Sequence, residues 1–223
     1  MTIVVTGASR GIGRAIARRL AATGADVALW ARDPAALATV CAEIGPRAHA
    51  FTVDVSDSTA VTAAAARVRA ELPPVTVIVN NAGAVLRRAT VDITDAEWRR
   101  VHATNVDGTF YVTRAFLPDL TRSGGRIINI ASRAGREGTP MLAAYCAAKH
   151  AIVGFTRSLA EELRAARVSV NAICPGSVDT EMLREGIPGA SPDMTPDDIA
   201  RTAEFLAVHA PRALTGSCID VFG

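Results

Sequence analysis

The stretch "VVTGASRGIGRAIA", residues 4–17, decides the fold that the sequence predicts. Its β-branched start is typical of a buried strand, and its alanine-rich end is typical of a helix. Between them, Gly7, Gly11 and Gly13 form a GxxxGxG pattern, which permits a tight turn and close approach of the backbone to a ligand. The helix that follows would point its free N–H groups at a phosphate. A glycine-rich turn without a ligand remains the alternative for this triplet taken alone.

Short β-branched runs alternate with helical stretches along the rest of the chain. The predicted strands are 2–6, 26–30, 48–53, 75–80, 126–132, 168–174 and 217–222, and the predicted helices lie near 12–23, 34–44, 57–71, 95–121, 140–165 and 196–209. Several strands are apolar on both faces, as buried parallel strands are. We therefore predict an α/β fold with a Rossmann-like, doubly wound, mostly parallel seven-stranded sheet flanked by helices, in a single domain over 1–223. The irregular segment 177–195 is predicted to be a short substrate loop.

Composition excludes several classes of protein. The 223 residues carry a formal net charge of only +2, which does not favour binding to nucleic acid or to an anionic membrane. No apolar run approaches the ~20 residues of a membrane span. The four cysteines and four histidines show no metal-binding spacing, so we expect no metal site. Dispersed free thiols and a first stretch without signal-peptide features predict a cytoplasmic protein.

Two further features lie where predicted strands end, the edge at which open α/β sheets bind ligands. Asp54 follows the third strand, where a carboxylate would meet an adenine amine, and "NNAG" (80–83) ends the fourth. Either one alone is also explained as a turn residue. The second strand ends at Ala31 and Arg32, where NAD-binding sites usually place an acid. Because arginine can bind a 2′-phosphate in bidentate fashion, Arg32, together with Arg10, predicts NADP(H) in preference to NAD(H).

Tyr145 and Lys149 lie four residues apart on a predicted helix and so share one face. Lys149 is the only lysine beside 23 arginines. An ammonium ~4 Å from a phenol, at an effective dielectric of ~20, is worth about 4 kcal/mol. That energy would lower the phenol pKa by about three units, toward neutrality. Ser132, which we place at the end of the fifth strand, would hold a substrate oxygen nearby, unless it is merely a cap.

These residues together resemble the short-chain dehydrogenase/reductase family, in its compact NADP-using branch. The resemblance covers the whole chain. It is carried by "TGASRGIG" (6–13), Asp54, "NNAG" (80–83), Asn105, Ser132, "YCAAK" (145–149), "PGSVDT" (175–180) and "TGSCIDV" (215–221).

The resemblance implies a site and a mechanism. The catalytic set would be Asn105, Ser132, Tyr145 and Lys149. Tyr145 would be the general acid or base, Ser132 would polarise the substrate oxygen, and Lys149 would bond the nicotinamide ribose. Asn105 would hold a helix kink and a water. The implied cofactor-binding residues are Gly7, Ser9, Arg10, Gly11, Ile12, Gly13, Ala31, Arg32, Asp54, Val55, Asn81, Ala82, Gly83, Tyr145, Lys149, Pro175, Gly176, Val178 and Thr180.

The resemblance leaves the substrate and partners open. It implies a small carbonyl or alcohol substrate and a homo-oligomer, dimer or tetramer, built on helices 95–121 and 140–165. A 3-oxoacyl-thioester reductase is the closest specific activity, and arginines such as Arg87 or Arg99 would then meet an acidic carrier protein or simply solvent. Arg133 would reach a substrate carboxylate or lie exposed. The alternatives are an epimerase or dehydratase, or a non-catalytic NADP(H) sensor or scaffold.

Overall fold

The chain folds around one parallel sheet. A computed structural model describes residues 1–223. Its seven strands follow the order β3-β2-β1-β4-β5-β6-β7, and every neighbouring pair is parallel. The strands are β1 (Thr2–Thr6), β2 (Asp26–Ala31), β3 (Ala48–Thr52), β4 (Val75–Asn80), β5 (Arg126–Ile130), β6 (Ser169–Pro175) and β7 (Cys218–Val221). The strand order reverses between β1 and β4, which creates a crevice at their carboxyl ends.

Helices cover both faces of the sheet. They are α1 (Gly11–Ala22), α2 (Pro34–Ile44), α3 (Ser58–Glu71), α4 (Asp95–His102), α5 (Gly108–Ser123), α6 (Ala143–Glu162), α7 (Glu181–Gly186) and α8 (Pro196–Glu204). Helices α1, α2 and α8 bury their apolar faces on one side, and α3, α5 and α6 on the other. No helix of this chain combines the length and apolarity that a membrane crossing requires.

The predicted fold class is confirmed, with three local differences. The fifth strand ends at Ile130, so Ser132 lies two residues beyond it and not at its end. The predicted helix 95–121 is two helices, α4 and α5, joined by a π-helical turn at Ala103–Asp107. The segment 177–195 contains the short helix α7, which the loop prediction missed.

A buried chain of polar side chains ties the centre of the sheet to α6. Asn80 on β4 donates from Nδ2 to Oδ1 of Asn129 on β5 at 2.9 Å. Asn129 in turn donates from Nδ2 to Oγ1 of Thr156 on α6 at 2.9 Å. Because a buried amide left without partners costs about 1–3 kcal/mol, these bonds specify the register between the strands and α6. They thereby position the first half of α6, which carries Tyr145 and Lys149, over the carboxyl edge.

Candidate active site

A single cleft of about 1460 Å³ runs along the carboxyl edge of the sheet. Every cofactor-binding residue that the sequence predicts lines this cleft, as do Ser132, Tyr145 and Lys149. Of the predicted site residues, only Asn105 does not line the cleft, although the neighbouring residue Thr104 does. The structure thus brings together residues that are up to 173 positions apart, from Gly7 to Thr180.

The glycine turn is shaped by its backbone and by what packs against it. Gly7 has φ +64° and Gly11 has φ +54°, values in the left-handed region that favour glycine. A Cβ on Gly13 would run into the carbonyl of Gly7 and the side chain of Asn81. No side chain caps the start of α1, since Arg10 at the N-cap makes no capping hydrogen bond. The first amides of α1 therefore face the cleft as free donors for an anion.

Asn81 has a structural task that the sequence did not reveal. Its Nδ2 donates to the carbonyls of Thr6 at 2.9 Å and Gly7 at 3.2 Å. Thr6 Oγ1 accepts in return from the backbone N–H groups of Asn81 and Ala82. The side chain of Asn81 thus fastens the end of β4 to the glycine turn, and only the backbone of "NNAG" is left to face a ligand.

The second strand ends in a basic position. Arg32 is exposed at the cleft and has no carboxylate within salt-bridge distance. Asp33, the acid next to it, caps α2 by accepting from the N–H groups of Ala35 at 2.9 Å and Ala36 at 3.1 Å. Because this carboxylate is committed to the helix start, the free charge at the strand end is positive.

Asp54 keeps its charge in the cleft. Burial alone would raise the pKa of Asp54, but hydrogen bonds from the Ser56 hydroxyl and amide, and then the Arg32 charge, hold it below its usual value. Both bonds from Ser56 reach Oδ1, at 2.7 Å and 2.9 Å. Oδ2 is the oxygen left for a ligand, and a carboxylate there accepts hydrogen bonds only.

Arg10 has a partner that the sequence did not predict. Its guanidinium forms an ion pair with Glu181 in the first turn of α7. Thr180 caps the same helix by accepting from Leu183 N–H at 3.2 Å, and its Cγ2 lies 3.4 Å from where a Cβ of Gly11 would be. Helix α7 therefore closes one side of the cleft directly against the glycine turn.

Two arginines of α1 also line the cleft, although the sequence analysis did not single them out. Arg14 pairs with Glu43 at 2.6 Å, and Arg18 lies 3.8 Å from Asp197. Their position could have been inferred from the sequence, because position 14 directly follows the glycine turn and position 18 is one helical turn further on the same face.

Tyr145 and Lys149 lie on the inner face of α6 and are both buried. The Lys149 ammonium lies 5.6 Å from the centre of the Tyr145 ring. Its Nζ donates to the carbonyl of Ile130 at 2.8 Å, which anchors the ammonium to the end of β5. The predicted pairing on one face is thus present, with the ammonium held beside the ring.

The pKa of Tyr145 moves in the opposite direction to the sequence-based expectation. Burial raises the pKa of Tyr145 to about 12, and the neighbouring Ser132 hydroxyl opposes that rise only in part. Burial also lowers the pKa of the Lys149 ammonium to about 8. Desolvation disfavours the charged forms of both groups, and the spacing of the two residues carries no information about it. At neutral pH the Tyr145 phenol is therefore protonated, and most of the Lys149 side chains are protonated and carry a charge.

Ser132 caps a short helical turn and borders the Tyr145 phenol. Its Oγ accepts from the N–H of Ala134 at 3.1 Å, so the capping explanation of this serine holds. A serine hydroxyl that accepts one bond still has its own hydrogen to donate. The same side chain can therefore cap the turn and hold an oxygen in the cleft.

Asn105 lies inside the π-helical turn between α4 and α5. Its Nδ2 donates to the carbonyls of Ala84 and Val101, both at 2.8 Å. Its Oδ1 is buried and has no partner within the chain. A Cβ on Gly83 would lie 2.9 Å from that oxygen and 3.7 Å from Lys149 Nζ. A π-helical turn thus lies where the family resemblance implied a kink, and Gly83 is close to both the unpaired acceptor and the lysine.

The far side of the cleft is built by the segment after β6. Gly176 donates its N–H to the carbonyl of Val221 at 2.8 Å and packs against the Phe222 backbone. Val178 pairs with Met194, which closes the segment 177–195 at its base. Val178 and Thr180 are thereby brought to the cleft that Lys149 also lines.

These features fit a dinucleotide. The α1 amides are free, Gly13 leaves no room for a Cβ, Asp54 keeps one carboxylate oxygen, and Asn105 Oδ1 lacks a partner. Each is a donor, acceptor or backbone surface of the kind that such a ligand uses.

Comparisons with known proteins agree with this geometry. A family model described as short chain dehydrogenase matches residues 1–189. The chain is 38% identical to a protein of Streptomyces virginiae named as a monensin polyketide synthase putative ketoacyl reductase, over 99% of this chain and 95% of that protein. A 3-ketoacyl-(acyl-carrier-protein) reductase from Brucella melitensis complexed with NADH superposes with a TM-score of 0.95 at 32% identity, covering 100% and 96% of the two chains. An actinorhodin polyketide ketoreductase variant with NADPH gives 0.93 at 35% identity, covering 100% and 95%.

Proposed function

The chain belongs to the short-chain dehydrogenase family, and from this premise we propose how its residues carry out the reaction. It is an oxidoreductase that interconverts a carbonyl group and an alcohol with a nicotinamide cofactor. The bound cofactor supplies or accepts the hydride at the substrate carbon. The chain's own residues hold both partners and move the proton at the substrate oxygen.

Tyr145 is the proton donor in the direction of reduction. The observation that carries this role is the convergence of Tyr145, Ser132 and Lys149 on one cleft floor. Because burial keeps the phenol protonated at neutral pH, its O–H is ready to give a proton to the carbonyl oxygen. The Ser132 hydroxyl donates to the same oxygen, which stabilises the negative charge that develops there. In the direction of oxidation Tyr145 accepts the alcohol proton, and this needs a phenolate that burial disfavours.

Lys149 supplies charge and position. One donor of its ammonium is fixed on the Ile130 carbonyl, and two remain for ribose hydroxyls of the cofactor. Asn105 Oδ1, on the other side of Gly83, is the acceptor that would hold a water linking Lys149 to solvent. The backbone near Ile12 would hold the pyrophosphate, and Val178 and Thr180 would hold the carboxamide.

We propose that the chain prefers NADP(H). The support is the free guanidinium of Arg32 beside Asp33, whose carboxylate is committed to capping α2. A 2′-phosphate would also compete with Glu181 for Arg10. The solved relatives named above carry NADH in one structure and NADPH in the other, so the basic strand end of this chain decides the proposal.

We propose a small, mostly apolar carbonyl compound as substrate, with a 3-oxoacyl thioester as the specific candidate. Val85, Leu142 and Met182 pack around the Tyr145 ring and form an apolar wall beside the phenol. Arg133 at the rim is paired with Glu137, so its charge is already balanced. The relatives named above as a putative ketoacyl reductase and a 3-ketoacyl-(acyl-carrier-protein) reductase support the same class.

We also propose a homo-oligomer, dimer or tetramer, in the cytoplasm. Trp98 and Phe110 on α4 and α5 are each 42% exposed, and the guanidinium of Arg114 covers the Phe110 ring. Such aromatic and arginine side chains favour a subunit interface. All four cysteines are free thiols, as a reducing compartment would keep them.

The variant Tyr145→Phe tests the proposed reaction. We expect turnover of a ketoester panel with NADPH to fall at least about a hundredfold, because general acid catalysis is lost. The affinity for NADPH, measured by fluorescence titration, should stay within about threefold of the wild type. Tyr111→Phe is the matched control, since Tyr111 lies on α5 outside the cleft. Equal turnover of Tyr145→Phe and wild type would exclude Tyr145 as the proton donor, whereas NADPH binding without turnover in either protein would support a sensor or scaffold.

A further inference from the structure

A second basic cleft lies at the amino edge of the sheet, at the end opposite to the active site. It has a volume of about 320 Å³ and lies where α5 ends before β5 and where the chain enters β6. Its lining contains three arginines and no acidic residue. The lining residues are Thr121, Arg122, Ser123, Gly124, Ala166, Arg167 and Arg212. We call it the arginine cleft. None of its residues belongs to the cofactor cleft.

The charges at the arginine cleft are not balanced. Fifteen of the 23 arginines pair with a carboxylate, including Arg122, which binds Asp119 at 2.8 Å. Arg167 and Arg212 have no such partner, and neither has Arg126 at the start of β5. Two of the eight arginines without a carboxylate thus line one small cavity, and Arg126, outside that lining, is close enough to feel the charge of Arg212.

Backbone carbonyls hold two of these arginines in place. Arg212 donates from Nη1 to the carbonyls of Gly124 and, at 3.2 Å, Arg167. Arg126 donates from Nη1 to the carbonyl of Leu206 at 2.9 Å. Burial, and then the charge of Arg212, lowers the pKa of Arg126. The guanidinium groups are therefore fixed close together, and their mutual repulsion is not relieved by a nearby acid.

Helix dipoles account for only part of this charge. Helix α5 ends at Ser123 in the cleft and α6 ends at Glu162 nearby, and each helix end contributes about half a negative charge. Together they offset about one of the three unpaired arginines. An excess of about two positive charges remains around a cavity large enough for a small anion.

We propose that the arginine cleft binds a phosphate group with two negative charges, either as free phosphate or as a phosphate monoester. Guanidinium groups match the oxygens of phosphate in bidentate fashion, which gives geometry as well as charge. The Thr121 and Ser123 hydroxyls at the rim donate to backbone carbonyls of α5, so the arginines are the donors for the anion. This site is separate from the glycine turn, which lies at the carboxyl ends of the strands.

The experiment measures binding of inorganic phosphate and of methyl phosphate to the whole chain by isothermal titration calorimetry. Saturating NADP⁺ fills the cofactor cleft, and sodium chloride keeps the ionic strength constant. We expect saturable binding that Arg167→Gln weakens at least about tenfold. Arg167 makes no side-chain hydrogen bond, so its replacement should leave the fold intact. Arg212→Gln is the second variant, and Arg157→Gln, exposed on α6 without a carboxylate, is the matched control.

The outcomes separate the sources of the ligand and decide the proposal. Tighter binding of methyl phosphate supports a monoester, and tighter binding of inorganic phosphate supports the free ion. Three results would overturn the proposal: no saturable binding of either anion, equal weakening by Arg157→Gln and Arg167→Gln, or unchanged binding in both cleft variants. An acidic peptide that binds where neither phosphate does would also overturn it, in favour of a protein partner.

Discussion

Replacing Lys149 by methionine tests the physical basis of the site. Lys149 is the only charged residue among the buried polar residues. Burial lowers its pKa from 10.5 to about 8, and at 1.36 kcal/mol per unit this shift means that the charged form costs about 3 kcal/mol in the folded chain. Methionine fills a similar volume without that cost. We therefore expect Lys149→Met to abolish turnover while changing the stability of the fold in a pH-dependent way.

The sign of that dependence follows from the two pKa values. The unfolded chain binds the proton of Lys149 more tightly than the folded chain, so protonation favours unfolding. The full cost applies below pH 8 and disappears as the pH rises toward 10.5. The unfolding free energy of the wild type minus that of Lys149→Met should therefore rise by about 2 kcal/mol between pH 7 and pH 9.5.

Urea unfolding followed by circular dichroism at both pH values gives this difference. Groups other than Lys149 titrate equally in both proteins and cancel. Arg157→Met, which removes an exposed charge from the same helix, should show a difference that stays constant with pH. A difference between wild type and Lys149→Met that is also constant, or that falls with rising pH, would refute a buried ammonium with a lowered pKa.

Four more results are expected. Arg32→Asp should raise the KM for NADPH at least about tenfold more than the KM for NADH, because it replaces the free guanidinium with a carboxylate that repels the 2′-phosphate. Equal increases of both KM values in steady-state assays would show that Arg32 does not bind the 2′-phosphate. Gly13→Ala should cost about 1–3 kcal/mol of unfolding free energy and weaken cofactor binding, because its Cβ meets the Gly7 carbonyl. Thermal unfolding measures the loss of stability, and Gly138→Ala, whose Cβ would face open space, should not show that loss. Turnover of the wild type in the direction of reduction should fall as the pH rises through about 8, where Lys149 loses its charge. The variant Lys149→Arg should be severely slowed, and its pH optimum should move upward. An unmoved optimum in its pH profile would contradict the charge-based account.

Local patterns were enough to predict the sheet and the glycine turn. Strand runs that are apolar on both faces and the turn after β1 depend on residues that are close in sequence, and the bounds of β1 and β4 agree with prediction. The residue types at strand ends, such as Asp54 and Arg32, could likewise be assigned to the cleft, because parallel strands place all their carboxyl ends at one edge.

Features that depend on tertiary contacts escaped sequence analysis. Helix α7 has only six residues and is held by the Thr180 cap and the ion pair between Glu181 and Arg10, a partner 171 positions away. The helical pattern around Asn105 looks continuous, so only the family resemblance, and no local pattern, pointed to the π-helical turn there. The spacing of Tyr145 and Lys149 predicted their shared face but not the direction of the Tyr145 pKa, because desolvation depends on everything packed around the pair.

The amide chain from Asn80 through Asn129 to Thr156 also constrains how this sequence can diverge. An aliphatic residue at the middle position would leave one Asn80 amide hydrogen and one Thr156 lone pair unpaired, although Asn80 would still donate to Thr113 and Thr156 to the Ile152 carbonyl. Replacing all three together by apolar residues would avoid that loss within the chain of amides and leave only Thr113 without its donor. Among descendants of this gene, we expect the three positions to drift as a set or not at all.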